Sequence, residues 1–372
     1  MLVRPVLRDE HLAFVAERGS ASFLQLPSWA GVKTEWGSES LGWFDDAGVL
    51  RGVGLVLHRR LPRLGRSLAY LPEGPVLDWA AVAADPAAWL DPLVAHLRRK
   101  GAFGVRMGPP VVTRRWGADV LKAAIAAGGA GQLADVVPTS VDALGTQLTT
   151  ALRAAGWRAP QSGHGFRAGQ PQYVFQLPLA GRTEDDVLRG FNQLWRRNIK
   201  KAEKAGVTVE TGTTADLPAF HALYVETARR DGFTPRPLAY FERMFRAMDD
   251  EDPERITLLL ARREGVLLAA TTLVRVGRHA WYSYGASSTE GREHRGSNAV
   301  QWEMVRRSLA AGCEVYDLRG ITDTIAESDP HFGLIQFKLG TGGEAVEYVG
   351  EWDLPLNRLL YKAFDTYMSR RG

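Results

Sequence analysis

The chain has 372 residues, of which 45% are hydrophobic and 24% are charged, and Lys and Arg outnumber Asp and Glu by 46 to 42. This length favours two domains, and the composition is ordinary for a soluble globular protein. The single cysteine, Cys313, excludes an intrachain disulfide and a zinc site built from cysteines.

Membrane-targeting patterns do not occur along the chain. Charged residues interrupt the amino terminus, and no stretch approaches about 18 consecutive apolar residues. The sequence therefore predicts neither a secretory signal nor a membrane span, and it favours a cytoplasmic protein. Four arginines leave open a peripheral contact with the inner membrane leaflet, although a solvated basic loop also explains them. They are Arg59, Arg60, Arg63 and Arg66.

The two halves of the chain have the same predicted order of elements. Residues 48–57 and 255–276 are apolar segments broken by turn residues, which is typical of paired strands. A further strand, a helix and another strand follow each pair, with the helices predicted over 87–100 and 297–311. Hairpin, strand, helix and strand is the order of the GNAT acyltransferase fold. We therefore predict an α/β (α+β) protein with two tandem GNAT-like domains, each a mixed β-sheet flanked by helices.

The boundary between the predicted domains lies in residues 156–172, which are rich in glycine and proline. The final helix, predicted over 357–368, has apolar residues at helical spacing and is expected to pack back on the first domain. We predict a first domain of residues 1–165 plus 346–372 and a second domain of residues 173–345.

A basic helix is predicted over residues 184–205, before Gly206. Phe191 and Trp195 interrupt its charge and are candidates for buried anchors, which would leave the cations outside to bind backbone phosphates. A solvated helix face is the alternative. The candidate phosphate-binding cations are Arg196, Arg197, Lys200, Lys201 and Lys204.

One lysine near the carboxyl terminus, Lys338, stands between apolar residues just before a glycine-rich turn. The pattern from Phe332 to Gly340 predicts a strand with a positioned cation, although a surface lysine on an edge strand has the same pattern. The eight histidines are scattered, and no spacing of His, Cys or carboxylates indicates a hydrolytic triad. We predict no metal site.

Several segments resemble motifs of the FemABX peptidoglycan-bridge aminoacyltransferases, and they follow one another in the same order as in that family. The match covers nearly the whole chain and includes an F-x-Q-x-x-x-W-x-x-x-K element and an R-D-x-x-x-x-R-x-x-x-Y-F element. The matching segments are 23–33, 70–75, 196–207, 230–241, 281–287 and, with its Phe-Lys pair, 337–348.

The resemblance implies transfer of an amino acid from aminoacyl-tRNA to the third-residue side-chain amine of a peptidoglycan stem peptide. Glycine is the first choice of amino acid, with alanine or serine as alternatives. The acceptor is UDP-MurNAc-pentapeptide or lipid II. The first domain is then the acceptor side and the second domain the tRNA side. No cofactor, no DNA and a monomer are expected.

The resemblance also implies roles for individual residues. Lys338 would stabilise the oxyanion of the attacked ester. Lys33 and Arg236 would bind the acceptor diphosphate. Without the resemblance, either residue could equally be a surface charge. Four aromatic residues would belong to the acceptor groove, for which core packing is the alternative. They are Phe103, Tyr240, Tyr282 and Tyr284.

Gly108 is a departure from the pattern, because some relatives have aspartate there and tyrosine at the place of Phe103. A carboxylate base cannot operate from Gly108, which leaves the ribose hydroxyl of the tRNA terminus as the hypothetical proton shuttle. Two other functions stay open. One is an acyl-CoA-dependent GNAT-like N-acyltransferase, for which residues 295–299 offer one glycine at the helix start. The other is a noncatalytic wall-precursor or RNA-binding module.

Overall fold

The computed structural model describes residues 1–61, 64–159 and 169–369. Their contacts define two compact units. Unit 1 comprises the described parts of Met1–Trp116, Val137–Tyr173 and Val346–Gly372, and unit 2 comprises Gly117–Val136 and Val174–Ala345. Residues 117–136, which the sequence placed in the first domain, therefore belong to unit 2. Part of the predicted boundary, residues 160–168, lies outside the described residues.

The strands of the described residues follow in chain order. They are β1 (Leu2–Pro5), β2 (Gly37–Phe44), β3 (Leu50–Arg60), β4 (Ser67–Leu71), β5 (Ala102–Met107), β6 (Val112–Gly117), β7 (Ser140–Val141), β8 (Tyr173–Pro178), β9 (Thr208–Gly212), β10 (Ile256–Arg263), β11 (Val266–Val276), β12 (His279–Ser287), β13 (Val315–Gly320), β14 (Glu344–Tyr348) and β15 (Trp352–Pro355).

The α-helices of the same ranges are numbered in the same way. They are α1 (Arg8–Ala16), α2 (Pro27–Val32), α3 (Trp79–Ala84), α4 (Pro86–Arg99), α5 (Ala118–Ala127), α6 (Ala143–Ala154), α7 (Glu184–Gly190), α8 (Gln193–Lys204), α9 (Leu217–Asp231), α10 (Leu238–Asp249), α11 (Gly296–Ala310), α12 (Phe332–Leu339) and α13 (Arg358–Ser369).

Unit 1 is built on a mixed sheet in the order β1-β2-β3-β4-β5-β15. β4 and β5 pair in parallel, and the other neighbours pair antiparallel. A cluster of buried side chains that includes Trp43, Trp89 and Trp352 forms its larger core. A second cluster contains Leu68, Phe103 and Phe364, so the carboxyl-terminal helix α13 packs on this unit as predicted.

Unit 2 repeats this plan. β9, β10, β11 and β12 form an antiparallel series, β12 pairs with β13 in parallel, and β13 pairs with β8 antiparallel. α11 packs on β10 and β11, while α9 packs on β12. Since each unit has an antiparallel hairpin followed by a helix and a parallel strand, the predicted duplication of a mixed α/β unit is confirmed.

The helix predicted over 184–205 is interrupted in its middle. α7 ends before Phe191, whose backbone is extended at φ −68° and ψ 143°, and α8 begins after Asn192. The Asn192 side chain accepts the Trp195 N–H at 2.9 Å and so caps the new helix. Because a local side-chain cap competes with continued helical hydrogen bonding, one predicted helix becomes two.

The strand predicted around Lys338 is wrong, because Phe332–Leu339 is the helix α12. Its buried residues are Ile335, Lys338 and Leu339, a spacing of three and four that matches one helix face. A short apolar run does not distinguish a strand from a buried helical turn, which explains the error. The consequence is that Lys338 projects from the last turn of a helix.

Candidate active site

Lys338 is enclosed in unit 2 with only 3% of its surface exposed. Its ammonium donates hydrogen bonds to two backbone carbonyls, at 3.1 Å to Arg319 O and 2.7 Å to Gly320 O. Both carbonyls lie at the end of β13. An ammonium has three N–H donors, so these two bonds leave one donor for another acceptor. This lysine is positioned, as the sequence indicated.

The backbone that holds Lys338 is itself shaped by a buried carboxylate. Arg319 has a left-handed backbone at φ 63°. Its N–H donates to Asp317 Oδ1 at 2.5 Å, and Gln176 donates to Asp317 Oδ2 at 3.1 Å. Asp317 is 1% exposed. Asp317 therefore fixes the turn whose carbonyls orient the lysine, a contribution that the sequence analysis missed.

Burial lowers the pKa of Lys338 to about 7, while the charge of Asp317 opposes this shift and that of Arg319 adds to it. The ionised form of Asp317 survives its own burial because His279 and Arg319 lower its pKa. His279 Nε2 lies 3.7 Å from Asp317 Oδ2. The site thus contains an ionised carboxylate and a lysine that titrates near neutral pH.

Three of the residues predicted to bind the acceptor meet in unit 2. The hydroxyls of Tyr240 and Tyr284 are 3.0 Å apart, and the Arg236 guanidinium carbon lies 5.5 Å from the centre of the Tyr240 ring. Arg236 is exposed, whereas Tyr240 is buried. A guanidinium beside phenolic hydroxyls offers donors suited to an oxyanion or phosphate.

Tyr282, another of the four predicted aromatic residues, is close to Tyr284 in sequence, and a bulge lies between the two. The β11–β12 register passes from Tyr282 opposite Leu273 to Tyr284 opposite Thr272, so Ser283 is an extra residue. Burial raises the pKa of Tyr282 to about 12. The phenol therefore remains a neutral hydrogen-bonding group throughout the physiological range.

The aromatic group has a further member, Tyr224, which the sequence analysis did not identify as a site residue. Its ring packs edge-on to Tyr284 with centroids 6.1 Å apart. Burial raises its pKa to about 12, and the charge of Arg236 opposes this shift. Its helical spacing from Phe220 was the available signal, but that spacing indicates packing alone.

Lys33, the other predicted diphosphate ligand, lies in unit 1. It caps the carboxyl end of α2 and is half-buried, with its ammonium 5.8 Å from the centre of the Trp29 ring. Arg236 and Lys338 belong to unit 2. A joint grip of Lys33 and Arg236 on one diphosphate stays a prediction.

Phe103 does not line an open groove in unit 1, contrary to the prediction. Its ring is 1% exposed and lies 5.5 Å from the centre of Phe364, in the cluster with Leu68. Tyr361 packs beside it, over Gly104. Because the strand directs this side chain under α13, Phe103 stabilises the fold and presents no face to a ligand.

Truncation of Phe103 tests this correction. We expect Phe103→Ala to lower the free energy of unfolding by about 3–5 kcal/mol, because it removes a buried ring and leaves a cavity. Denaturant unfolding measures the change, with the partly exposed Phe233→Ala as the control, since Phe233 is 40% exposed. An unchanged stability together with a higher KM for the acceptor would restore the groove assignment.

The basic face of α8 has the predicted arrangement. The five cations Arg196, Arg197, Lys200, Lys201 and Lys204 are exposed. Phe191 and Trp195 are 2% and 4% exposed, which confirms them as buried anchors.

Trp195 also joins the basic helix to the helix of the buried lysine. Its indole N–H donates to Phe337 O at 2.9 Å, and its ring lies 4.6 Å from the Phe337 ring. A Cβ at Gly340 would come within 2.2 Å of the indole, so this approach requires glycine. The residue before Lys338 therefore touches the helix that carries the exposed cations.

Unit 1 has a small cavity beside Gly108, lined also by Glu73, Tyr348 and Glu351. Glu351 accepts the Tyr70 hydroxyl at 2.5 Å, and burial raises the pKa of its carboxyl group. A Cβ at Gly108 would lie 3.5 Å from Glu351 Cγ. A carboxylate from the segment just before β15, the strand that pairs with β5, therefore stands beside Gly108, and the sequence analysis missed it.

Two kinds of feature do not occur among the described residues. No group of His, Cys, Asp or Glu in residues 1–61, 64–159 and 169–369 is arranged to hold a metal ion. Over the same ranges, no helix has the length and apolar character needed to cross a bilayer.

The chain as a whole is similar to known proteins. The FemAB family model matches residues 6–264 and 254–368. A lipid II:glycine glycyltransferase of Staphylococcus aureus (strain MRSA252) is 24% identical over 98% of this chain and 95% of that protein. Its counterpart in Staphylococcus haemolyticus (strain JCSC1435) has the same identity and coverage.

Solved structures bear out the fold. The crystal structure of FemX matches with a TM-score of 0.81 at 23% identity, over 98% of this chain and 100% of that chain. A tandem GNAT protein from the clavulanic acid biosynthesis pathway matches with a TM-score of 0.50 at 12% identity, over 95% and 98% of the two chains. The predicted tandem GNAT-like architecture is confirmed.

Proposed function

The chain belongs to the FemAB family, and we propose that it is an aminoacyl-tRNA-dependent transferase of peptidoglycan cross-bridge synthesis. It moves glycine to the third-residue side-chain amine of a stem peptide on lipid II or UDP-MurNAc-pentapeptide. The observation that carries the proposal is the buried Lys338, whose ammonium is held by two carbonyls of β13. Lys338 lies on α12, and α12 contacts the exposed basic helix α8. The glycyltransferase names of the relatives support glycine and lipid II.

Lys338 acts on the ester in this proposal. The acceptor amine nitrogen attacks the ester carbonyl, forming a C–N bond and an oxyanion, and collapse breaks the bond to the tRNA ribose oxygen. The third N–H of the Lys338 ammonium donates to the oxyanion. Such a donor stabilises the transition state more than the uncharged ester, because the negative charge develops only during attack.

The proton of the attacking amine passes to the departing ribose oxygen through the neighbouring ribose hydroxyl. Gly108 cannot supply a base, which supports this substrate-assisted route. Glu351 lies beside that position, but its carboxylate already accepts a hydrogen bond from the Tyr70 hydroxyl. We assign the ribose route as the main one and Glu351 to the architecture of unit 1.

The acceptor and the donor bind through different groups. Lys33 and Arg236 hold the acceptor diphosphate, while Tyr240, Tyr282 and Tyr284 contact the rest of the acceptor through hydroxyls and rings. α8 binds tRNA phosphates. The protein works as a cytoplasmic monomer without a cofactor and without DNA, in peripheral contact with the membrane that carries lipid II.

A purified reaction decides between this function and acyl transfer from coenzyme A. Glycyl-tRNA is incubated with the protein and with either UDP-MurNAc-pentapeptide or lipid II, and the mass of the acceptor is measured by mass spectrometry. We expect a glycine adduct that disappears after ribonuclease treatment of the donor. A product that survives ribonuclease and requires an acyl-CoA would overturn the tRNA-dependent proposal, and no product with either donor would favour a noncatalytic module.

The pH dependence of the rate reports the state of Lys338. Below pH 7, kcat/KM for the acceptor should rise tenfold per pH unit, because an amine with a pKa near 10 loses its proton while the lysine stays charged. Above pH 7 the protonated fraction of Lys338 falls, since its pKa is about 7, while the free fraction of the acceptor amine rises. The two changes cancel, and the profile should become flat.

Lys338→Arg is the control for this profile, because a guanidinium stays protonated. Whatever its absolute rate, its kcat/KM should continue to rise above pH 7. A break at the same pH in both proteins would assign the titration to another group.

A further inference from the structure

Unit 1 has a basic surface that the proposed transfer reaction does not use. It is formed by the end of β3 with the following turn, the end of α4 and the start of α13. We call it the basic surface of unit 1. Its exposed cations are Arg60, Arg66, Arg98, Arg99, Lys100, Arg358 and Lys362. Among the described residues of 59–66, 98–101 and 358–366, Asp365 is the acidic one.

Backbone contacts bring two of these three segments together. Ser67 N–H donates to Gly101 O at 3.4 Å, and Leu61 N–H donates to Arg66 O at 2.7 Å. A Cβ at Gly101 would lie 3.9 Å from the Arg66 side chain. The end of α4 and the β3–β4 turn therefore form one continuous patch.

α13 joins the same patch through its buried face. The Arg59 guanidinium carbon lies 5.5 Å from the centre of the Phe364 ring, and Phe364 packs with Leu68. Leu61, from the turn, and Leu360 pack against the same cluster. The opposite face of α13 consequently points outward with Arg358 and Lys362.

Two large apolar side chains stand among the cations without cover. Leu64, in the turn, is 57% exposed, and Leu359, on α13, is 84% exposed. Segments that lie at a bilayer interface typically combine exposed apolar side chains with cations, as this surface does. Nucleic-acid binding usually adds exposed aromatic residues for stacking, which the described parts of these three segments do not present.

We propose that the basic surface of unit 1 binds the surface of an anionic phospholipid bilayer. The cations bind lipid phosphates, and Leu64 and Leu359 enter the interfacial layer. This inference rests on the proposed function for its biological reason, since an acceptor such as lipid II lies in a membrane. It assigns that contact to named residues, including Arg60 and Arg66 but not Arg63, which lies outside the described residues.

Vesicle co-sedimentation of the full chain tests the proposal without any substrate. Binding to vesicles of phosphatidylcholine alone is compared with binding to vesicles that also contain about 30% phosphatidylglycerol, at physiological ionic strength. We expect binding to the anionic vesicles only. The variant Arg60→Gln/Arg66→Gln/Arg99→Gln/Lys362→Gln should bind at least tenfold more weakly, and Leu64→Ser/Leu359→Ser should weaken binding with the charge unchanged.

The matched control removes the same number of exposed cations from α8, as Arg197→Gln/Lys200→Gln/Lys201→Gln/Lys204→Gln, and should keep vesicle binding. Equal losses in both charge variants, or full binding by the basic-surface variant, would overturn the proposal. Loss of tRNA binding by the basic-surface variant with vesicle binding intact would assign the surface to RNA instead.

Turnover separates this proposal from the proposed function. The basic-surface variant should keep its activity on UDP-MurNAc-pentapeptide in solution and lose it on lipid II in anionic vesicles. If the unmodified protein transfers nothing to either acceptor, the proposed function fails, whereas the vesicle-binding result still decides the membrane contact.

Discussion

Replacing Lys338 with methionine is expected to lower kcat by about 100- to 1,000-fold, the range for loss of one oxyanion donor. Methionine has a similar length but no hydrogen-bond donor, so the variant lacks the ammonium that we propose stabilises the oxyanion formed from the ester. Acceptor affinity should stay within a few fold, because the residues that we propose bind the acceptor diphosphate and line the acceptor groove are unchanged. Single-turnover kinetics with preformed glycyl-tRNA and acceptor binding by calorimetry measure the two quantities.

The fold must be checked in the Lys338→Met variant, because Arg319 O and Gly320 O lose a buried donor. Thermal unfolding and circular dichroism provide that check. Lys204→Met, at an exposed position of α8, is the matched control and should keep kcat. A folded Lys338→Met protein with an unchanged rate would remove Lys338 from the chemistry.

The second large effect concerns the five cations of α8. Changing Arg196, Arg197, Lys200, Lys201 and Lys204 to glutamine should raise KM for glycyl-tRNA on the order of 10- to 100-fold while kcat at saturating tRNA changes little. Each lost phosphate contact reduces the slope of log affinity against log salt by about 0.7–0.9. Binding titrations at several salt concentrations therefore count the contacts.

The control for the α8 variant neutralises five exposed cations in unit 1. Arg60, Arg66, Arg98, Arg99 and Lys100 become glutamine, so the change in net charge is the same. A similar KM increase in both proteins would mean that net charge governs tRNA binding. An unchanged salt slope in the α8 variant would show that α8 is a solvated face.

Trp195 gives a physical reason for linking donor binding to catalysis. It anchors the basic helix on Phe337, the residue before Lys338, and the close approach depends on Gly340. In our proposal, phosphates bound by α8 and the ester near Lys338 belong to one tRNA molecule. The contact between the two helices then sets the separation of these two binding groups.

Several features of unit 2 were predictable because their signals are local. The basic run around Lys200 has anchors at helical spacing, and the structure confirms Phe191 and Trp195 as buried. The break at Asn192 was equally local but was missed, because an asparagine within a polar helical run is also compatible with a continuous helix.

Phe103 and Lys338 show the limits of sequence patterns. An aromatic residue in a strand faces either a groove or a core according to what covers the sheet, and α13 covers Phe103 from more than 250 residues away in the chain. The run around Lys338 suits a strand or a helical turn equally well. Long-range packing made it α12, with Ile335 and Leu339 turned inward.

The sequence by itself determined the family, the repeated order of strands and helices, and the cations available for phosphate and ester chemistry. These follow from residue identity and short-range periodicity. Only the tertiary structure decided the surroundings of Lys338. Two carbonyls contributed from 18 and 19 residues away accept its hydrogen bonds, and burial near Asp317 and Arg319 sets its pKa. Proton affinity depends on solvent exclusion and neighbouring charges, which arise only when distant segments of the chain pack together.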